Sequence, residues 1–333
     1  MIRGLAPILL AALGLVALQY LLGDFRYFAY LACLVGVNVV LAVSLNIING
    51  MTGQFSIGHA GFMAVGAYVA GMLSLATKEY QLGPLEAVSD QVFLLLSLVV
   101  GGTAAAACGF LVGLPSLRLR GDYLAIVTLG FGEIIRVIVQ NTPALGGSLG
   151  LQSVPQRADF GMVWFWVALV VLLARRLASS SHGRSLMAIR EDEVAAESMG
   201  VDTTGYKVRA FVVSSFFAGV AGGLFAHFVP VVNPGSFTFV KSTEVVVMIV
   251  AGGLGSTTGA IIAAAALTLL PFGMRSLFFE LGGDNASLAQ KADQIRMPIY
   301  GVILVVMMLV RPQGLFGSRE AWDWFDKKKG ARA

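Results

Sequence analysis

Long apolar runs alternate with short polar segments along most of the chain. About 20 consecutive apolar residues are needed for a helix to cross the hydrocarbon core of a bilayer, and most of these runs are long enough. We expect spans at residues 5–22, 28–48, from the 50s to about 77, 92–114, 122–140, 162–177, from about 206 to 232, and 297–310. The pattern predicts an all-α polytopic membrane protein with about ten transmembrane helices, within a range of eight to ten.

Glycine interrupts the apolar pattern in two places. Residues 49–54 follow the second predicted span, and residues 252–259 divide the apolar region 243–270 into two short helices. Backbone that is not helical is tolerated at membrane depth only where it is buried in protein or lines a water-filled cavity. We therefore expect region 243–270 to form two spans or a re-entrant pair. Interrupted helices of this kind often border the substrate route of a transporter.

The basic residues indicate the orientation of the chain. With ten crossings and the N-terminus inside, 15 of the 23 lysines and arginines lie on the inner side and seven on the outer side. This asymmetry follows the positive-inside rule and predicts that both termini are cytoplasmic. The first apolar run is not followed by a small-x-small cleavage site, so it is interpreted as a retained helix.

Composition supports a membrane protein and excludes several other classes. The chain is 57% hydrophobic and 13% charged, whereas soluble domains are about 25% charged. No segment is long or polar enough to form a separate soluble domain, so residues 1–333 are interpreted as a single transmembrane permease domain. The net charge of +4 does not indicate nucleic acid as a partner, because the basic residues lie at helix ends, where topology explains them.

The sequence contains no pattern typical of catalysis or cofactor binding. No lysine follows a glycine, so a GxxxxGK[ST] phosphate loop is absent. His59, His182 and His227 are isolated and lack the spacing of metal ligands. Cys33 and Cys108 lie in apolar runs and imply no disulfide framework. We predict a chain that is not an enzyme and holds neither a metal nor a cofactor.

Two groups of polar residues at membrane depth are candidates for the translocation path. The first group follows the second span and comprises Asn46, Asn49, Thr52, Gln54, Ser56 and His59. Such residues either line a path or form hydrogen bonds with neighbouring helices, and both interpretations stay open.

The second group is Glu133 and Arg136. Glu133 lies eleven residues beyond Asp122, or roughly 16 Å along a helix, near the middle of the ~30 Å hydrocarbon core. The i, i+3 spacing puts Arg136 on the same face. Each lone charge costs about 2.5–3.5 kcal/mol there, so the two are predicted to pair inside the bundle. The pair either fixes helix packing or gates the path.

Residues 179–209 form a long polar segment between two apolar regions. The acidic residues Glu191, Asp192 and Glu193 predict the first turn of a short helix. Gly200 is suited to ending it, because glycine tolerates the left-handed conformation. Asp202 or Thr203 can then cap a new helix beginning near Tyr206. The segment is interpreted as a docking helix on the cytoplasmic side, with a plain solvated loop helix as the alternative.

This segment, GRSLMAIREDEVAAESMGVDTTGYKVRAF, resembles the cytoplasmic coupling loop of ABC-importer permeases. Glu193, Ala195, Ala196 and Gly200 stand at the positions of the EAA…G pattern of that loop. Residues 44–71, 121–151 and 248–260 resemble the LivM-type permeases of branched-chain amino acid importers. The resemblance covers most of the chain between residues 44 and 312. It implies contact with ATPase subunits through Glu191, Glu193, Ala195, Ala196, Met199 and Gly200.

The resemblance also implies how the protein works. It implies a multi-pass subunit of the bacterial inner membrane that forms the path for a small-molecule solute, most specifically a branched-chain amino acid. The implied partners are two cytoplasmic ATPase subunits, a LivH-type paralogous permease and a periplasmic solute-binding protein. Two alternatives are a permease of the same family for urea or short amides, and an ion-coupled secondary transporter. The coupling loop argues against the second, because a self-powered transporter does not need it.

Overall fold

The computed structural model describes residues 26–77, 86–116, 122–282 and 298–320, the last range with gaps at 304, 308, 312, 313, 316, 318 and 319. Its helices are α1 (Arg26–Asn46, continued by a π-helical turn Ile47–Met51), α2 (His59–Ala76), α3 (Glu86–Ser116), α4 (Asp122–Asn141), α5 (Phe160–Ser179), α6 (Ser181–Glu191), α7 (Glu193–Ser198), α8 (Thr203–Ala226), α9 (Phe239–Gly252) and α10 (Thr257–Gly282). The strands are β1 (Leu151–Gln152) and β2 (Val231–Val232).

Seven helices in the described part of the chain are long and apolar enough to cross a membrane. They confirm an all-α polytopic membrane protein. Helix α9, with 14 residues, and the apolar helix Pro298–Met307 are shorter. The predicted span at residues 5–22 and the lysine-rich tail lie outside the described residues. The count of about ten and the orientation of the termini stay predictions.

The core is built around helices α1, α2 and α8, whose residues are mostly buried. Helix α8 crosses α2 at glycines: a Cβ atom at Gly66 would lie 2.1 Å from the carbonyl oxygen of Gly219. The two backbones therefore approach as closely as small residues allow, which replaces the hydrophobic driving force that helices lack in lipid. Helices α3, α4 and α5 surround this core, and large apolar side chains remain exposed on their outer faces.

The predicted boundaries on the two sides of the loop that precedes α9 are wrong. Helix α8 ends at Ala226 rather than at 232, because Val231 and Val232 pair in an antiparallel ladder with Gln152 and Leu151. Helix α9 begins at Phe239 rather than at 243. The apolar valines at 231 and 232 made the predicted span of α8 too long. The polar residues at the start of α9 were assigned to a loop because they lower the local hydropathy. Lys241, which lies between the predicted spans that end at 232 and begin at 243, is therefore part of a helix.

The predicted interruption at 252–259 is confirmed. Helix α9 stops at Gly252, Gly253 and Gly255 adopt positive φ, and α10 begins at Thr257. The interruption after α1 is also present, as the π-helical turn and the irregular residues that precede α2. Both interruptions are thus packed features of the fold, and they lie next to each other, as described below.

Candidate coupling surface and solute path

The coupling loop folds as two short helices and the start of α8. Ser180 caps α6, and Asp192 caps α7 by accepting hydrogen bonds from the backbone N–H groups of Val194 and Ala195 at 2.9 and 3.0 Å. Asp202 caps α8 by accepting from Gly205 N–H at 3.0 Å. Helix α8 begins at Thr203, three residues before the predicted start near Tyr206. The predicted acidic first turn is divided, because Glu191 ends α6 while Glu193 begins α7.

Gly200 ends α7 as predicted. Its φ is +83°, and its N–H donates to the carbonyl oxygen of Glu197 at 2.9 Å. Val201 N–H donates to Ala196 O at 3.1 Å. These are the two hydrogen bonds of a Schellman motif, in which a left-handed residue satisfies the last carbonyl groups of a helix.

One face of α7 is solvent-exposed, and we call it the α7 surface. It carries Val194, Ala195 and Met199, with Met199 84% and Val194 60% exposed. Ala196 is 5% exposed and packs against the rest of the chain. Ala196, which the family resemblance also places at the ATPase contact, is thus not exposed on this surface, and its part in that contact stays a prediction. Successive helical residues are rotated by about 100°, and here that rotation takes Ala196 to the side of α7 that packs against the chain.

Helix α7 is fixed to α8 by an ion pair between a buried lysine and a half-buried glutamate, which the sequence did not predict. Lys207 Nζ lies 2.6 Å from Glu193 Oε2, and the lysine side chain is only 5% exposed. A buried ammonium group needs a partner, because its desolvation is otherwise unfavourable. A lysine within the first turns of an apolar helix was the available signal, but nothing in the spacing identified Glu193 as its partner.

Arg190 connects α6 to both interrupted segments. Its Nη1 donates to Gly50 O at 2.8 Å, and a Cβ atom at Gly255 would lie 2.8 Å from the same nitrogen. Gly255 N–H donates to Asn46 Oδ1 at 2.9 Å. The two glycine interruptions and the coupling loop thus meet at one side chain. Glycine is favoured at both positions for different reasons: a Cβ atom at Gly50 would collide with the backbone of Gly255, and Gly255 has a φ of +90°.

The carboxylate of Glu320 caps the N-terminus of α10, next to the interruption that follows α9. Glu320 Oε1 accepts a hydrogen bond from Thr257 N–H at 2.6 Å, and Oε2 accepts one from Thr258 N–H at 3.0 Å. The N-terminal N–H groups of a helix lack partners within the helix, and a negative charge there is favourable. The segment after residue 310 therefore returns to the interruption between α9 and α10.

The polar residues that follow α1 are buried: Asn49, Thr52, Gln54, Ser56 and His59. Asn49 exchanges two hydrogen bonds with the backbone of Ser56, at 3.2 and 3.3 Å. Thr52 Oγ1 donates to Ile48 O at 2.6 Å, and His59 Nε2 lies 2.9 Å from Ser44 Oγ. These contacts support the interpretation that the residues hold the interrupted segment together. They do not test whether that segment also borders a path.

Glu133 and Arg136 form the predicted ion pair, with Nε of the arginine 2.7 Å from Oε2 of the glutamate. Their side chains are 34% and 26% exposed, so the pair is not enclosed in the bundle as expected. Helix α4 lies at the periphery, and spacing alone does not reveal which face of a helix is buried. Glu133 Oε1 also accepts a hydrogen bond from Phe239 N–H, the first residue of α9, at 3.2 Å.

No group of three or more His, Cys, Asp or Glu residues that could hold a metal ion is present in the part of the chain that the structure describes.

Comparisons with known proteins agree on a transport family. The family model described as branched-chain amino acid transport system / permease component matches residues 27–310. The chain is 34% identical to the "High-affinity branched-chain amino acid transport system permease protein LivM" of Salmonella typhimurium, over 86% of this chain and 69% of that protein. It is 26% identical to the "Probable branched-chain amino acid transport permease protein LivM" of Methanocaldococcus jannaschii, over 85% and 91%. Among solved structures it is similar to "PsaBC from Streptococcus pneumoniae in complex with Fab", at 14% identity and a TM-score of 0.43 over 90% of this chain and 97% of that one, which is too distant to add to the argument.

Proposed function

The chain belongs to the family of branched-chain amino acid transport permeases and is a permease subunit of an ABC importer, and we propose that its solute is a branched-chain amino acid. The family match over residues 27–310 carries this proposal. The names of the relatives support the solute class, since both name branched-chain amino acid transport.

We propose that the α7 surface is the contact with the ATPase subunits. An exposed apolar surface of Val194, Ala195 and Met199 on a short helix between two membrane helices is suited to a groove on another protein. The caps at Asp192 and Gly200 and the Glu193–Lys207 ion pair fix this helix. A helix held in this way passes a displacement on to α8 without losing its own structure.

The remaining partners follow from the same proposal. A LivH-type paralogous permease completes the membrane part, two cytoplasmic ATPase subunits bind the coupling loops, and a periplasmic solute-binding protein delivers the solute to the outer face. The assembly resides in the bacterial inner membrane. The exposed apolar faces of α3, α4 and α5 provide the surface for lipid and for the second permease.

A transport assay with the complete complex tests the solute. The permease, its paralogue, the ATPases and the binding protein are reconstituted in proteoliposomes, and ATP-dependent uptake of leucine, isoleucine, valine, urea and acetamide is measured. We expect uptake of the three amino acids and none of urea or acetamide. Uptake of urea or acetamide without uptake of the amino acids would refute the proposed solute while leaving the family unaffected.

A further inference from the structure

A cavity of about 310 Å³ lies between helices α1, α2, α8, α9 and α10. This volume is at the lower end of the range for small-molecule sites, which is about 300–1,000 Å³. Much of its wall is apolar and is formed by Leu34, Met63, Phe225, Met248 and Phe272. None of the polar residues singled out in the sequence lines it. The polar residues that do are Asn38, Ser236, Lys241, Glu244, Thr268 and Tyr300.

The polar part of the wall carries one positive and one negative charge. Lys241 Nζ lies 3.3 Å from Glu244 Oε2 and donates to Asn38 Oδ1 at 2.9 Å. Asn38 Nδ2 in turn donates to Thr268 Oγ1 at 2.9 Å, which fixes the amide. The lysine side chain is 20% exposed and the glutamate side chain 7%. Two opposite charges thus border the same apolar cavity.

Placing such charges in a membrane protein needs a reason. Ionisable residues at membrane depth are unfavourable and usually serve function. A buried ion pair adds little net stability compared with apolar residues of the same volume. Among the described residues that line the cavity, the formal charges of Lys241 and Glu244 cancel, so this wall favours neither a cation nor an anion. They suit a ligand that itself carries both charges.

We propose that this cavity binds the zwitterion of a hydrophobic α-amino acid. The ammonium group of Lys241 pairs with the ligand carboxylate, and the carboxylate of Glu244 pairs with the ligand ammonium group. Leu34, Met63, Phe225 and Met248 contact the apolar side chain. The inference rests on the proposed function and deepens it, because it names a site within this subunit. A neutral amide such as urea carries no formal charge and forms neither charge-assisted contact, whereas the zwitterion forms both, so the site favours the amino acid.

Binding of radiolabelled leucine to the complex in lipid nanodiscs, without the solute-binding protein, tests the site directly. Competition is measured with leucinamide, which lacks the carboxylate, and with 4-methylpentanoate, which lacks the ammonium group. We expect each analogue to compete at least about tenfold more weakly than leucine, because each loses one charge-assisted contact. Analogues that compete as well as leucine would overturn the proposal, even if no variant can be prepared.

Two variants assign the charges. In Lys241→Met, leucine and leucinamide should compete equally; in Glu244→Gln, leucine and 4-methylpentanoate should compete equally. A merely structural ion pair would weaken all three ligands alike or none of them. Asp159→Asn, which removes an exposed carboxylate outside the cavity and away from the coupling loop, is the control for charge.

The same complex separates this inference from the proposed function. If the unaltered complex transports leucine and both cavity variants bind and transport leucine normally, the cavity is not the site, while the function stands. If the unaltered complex transports no branched-chain amino acid in proteoliposomes, the proposed function fails. If leucine binds equally well in the unaltered complex and in both cavity variants, the cavity site is refuted and the proposed function is not.

Discussion

Glu133 accepts hydrogen bonds from two directions, and this explains its presence better than a gate does. One carboxylate oxygen binds Arg136 at 2.7 Å, and the other accepts from the first backbone N–H of α9 at 3.2 Å. The second contact places a negative charge at a helix N-terminus, where it is favourable. Because the pair is partly exposed, we interpret it as a packing device that fixes α4 against α9.

Neutral replacement of the pair tests this interpretation. Glu133→Gln combined with Arg136→Met keeps an oxygen acceptor for Phe239 N–H and leaves no unpaired charge. We expect this double variant to assemble and transport nearly as well as the unaltered protein. Glu133→Ala alone removes both contacts and should destabilise the protein by about 1–3 kcal/mol, seen as a lower thermal midpoint. Normal assembly of the double variant with lost transport would instead identify a gate.

Arg190 joins helix α6 to the interruptions that follow α1 and α9. Its guanidinium group donates to Gly50 O and lies beside Gly255. We propose that a displacement of the coupling loop acts on the interrupted segments through the Arg190 side chain. Helix α7 acts on α8 through the Glu193–Lys207 ion pair. These are two separate connections from one loop to the membrane helices.

Replacing Arg190 by glutamine should uncouple ATP hydrolysis from transport. The shorter side chain loses the contact with Gly50 O but leaves the α7 surface intact. We expect normal co-purification with the ATPases, and a fall of about fivefold or more in solute-stimulated ATP hydrolysis. Arg184→Gln is the matched control, since it removes the same charge from an exposed position of the same helix. Equal rates for the two variants would show that the Arg190 contact plays no part in coupling.

Local patterns predicted the elements well and the contacts between them poorly. Hydropathy placed most spans within a few residues, and the capping residues Asp202 and Gly200 were read from the sequence, because both signals are local. The pairing of Glu193 with Lys207 depends on how α7 folds back on α8, which no local pattern contains. The burial of Ala196 and the partial exposure of Glu133 also depend on how helices pack against each other, so local patterns did not predict them. Lys241 and Glu244 are spaced i, i+3 on α9. Because the predicted helix began at residue 243, it did not include Lys241, and this spacing was not recognised.

The molecule contains two distinct regions, to which we assign different roles. One contains the coupling loop, Gly50, Gly255 and the Glu320 cap of α10. The other is the amphipathic cavity beside Lys241 and Glu244. Helices α1 and α9 reach both regions, since each contributes to the cavity and ends at an interruption. We infer that movement of the coupling loop reaches the cavity along these two helices.

We propose that this subunit takes its energy from partner ATPases through the α7 surface, and one pair of variants tests this coupling. Ala195 is exposed, whereas Ala196 is buried, so Ala195→Arg places a charge on the docking surface without disturbing the fold. Ala195→Ser is the matched control of similar size. Solute-stimulated ATP hydrolysis by the reconstituted complex is measured for both, with membrane insertion checked by the amount of purified protein. We predict a loss of about tenfold or more for Ala195→Arg and normal rates for Ala195→Ser. Normal ATP hydrolysis and normal ATPase binding in Ala195→Arg would contradict the account.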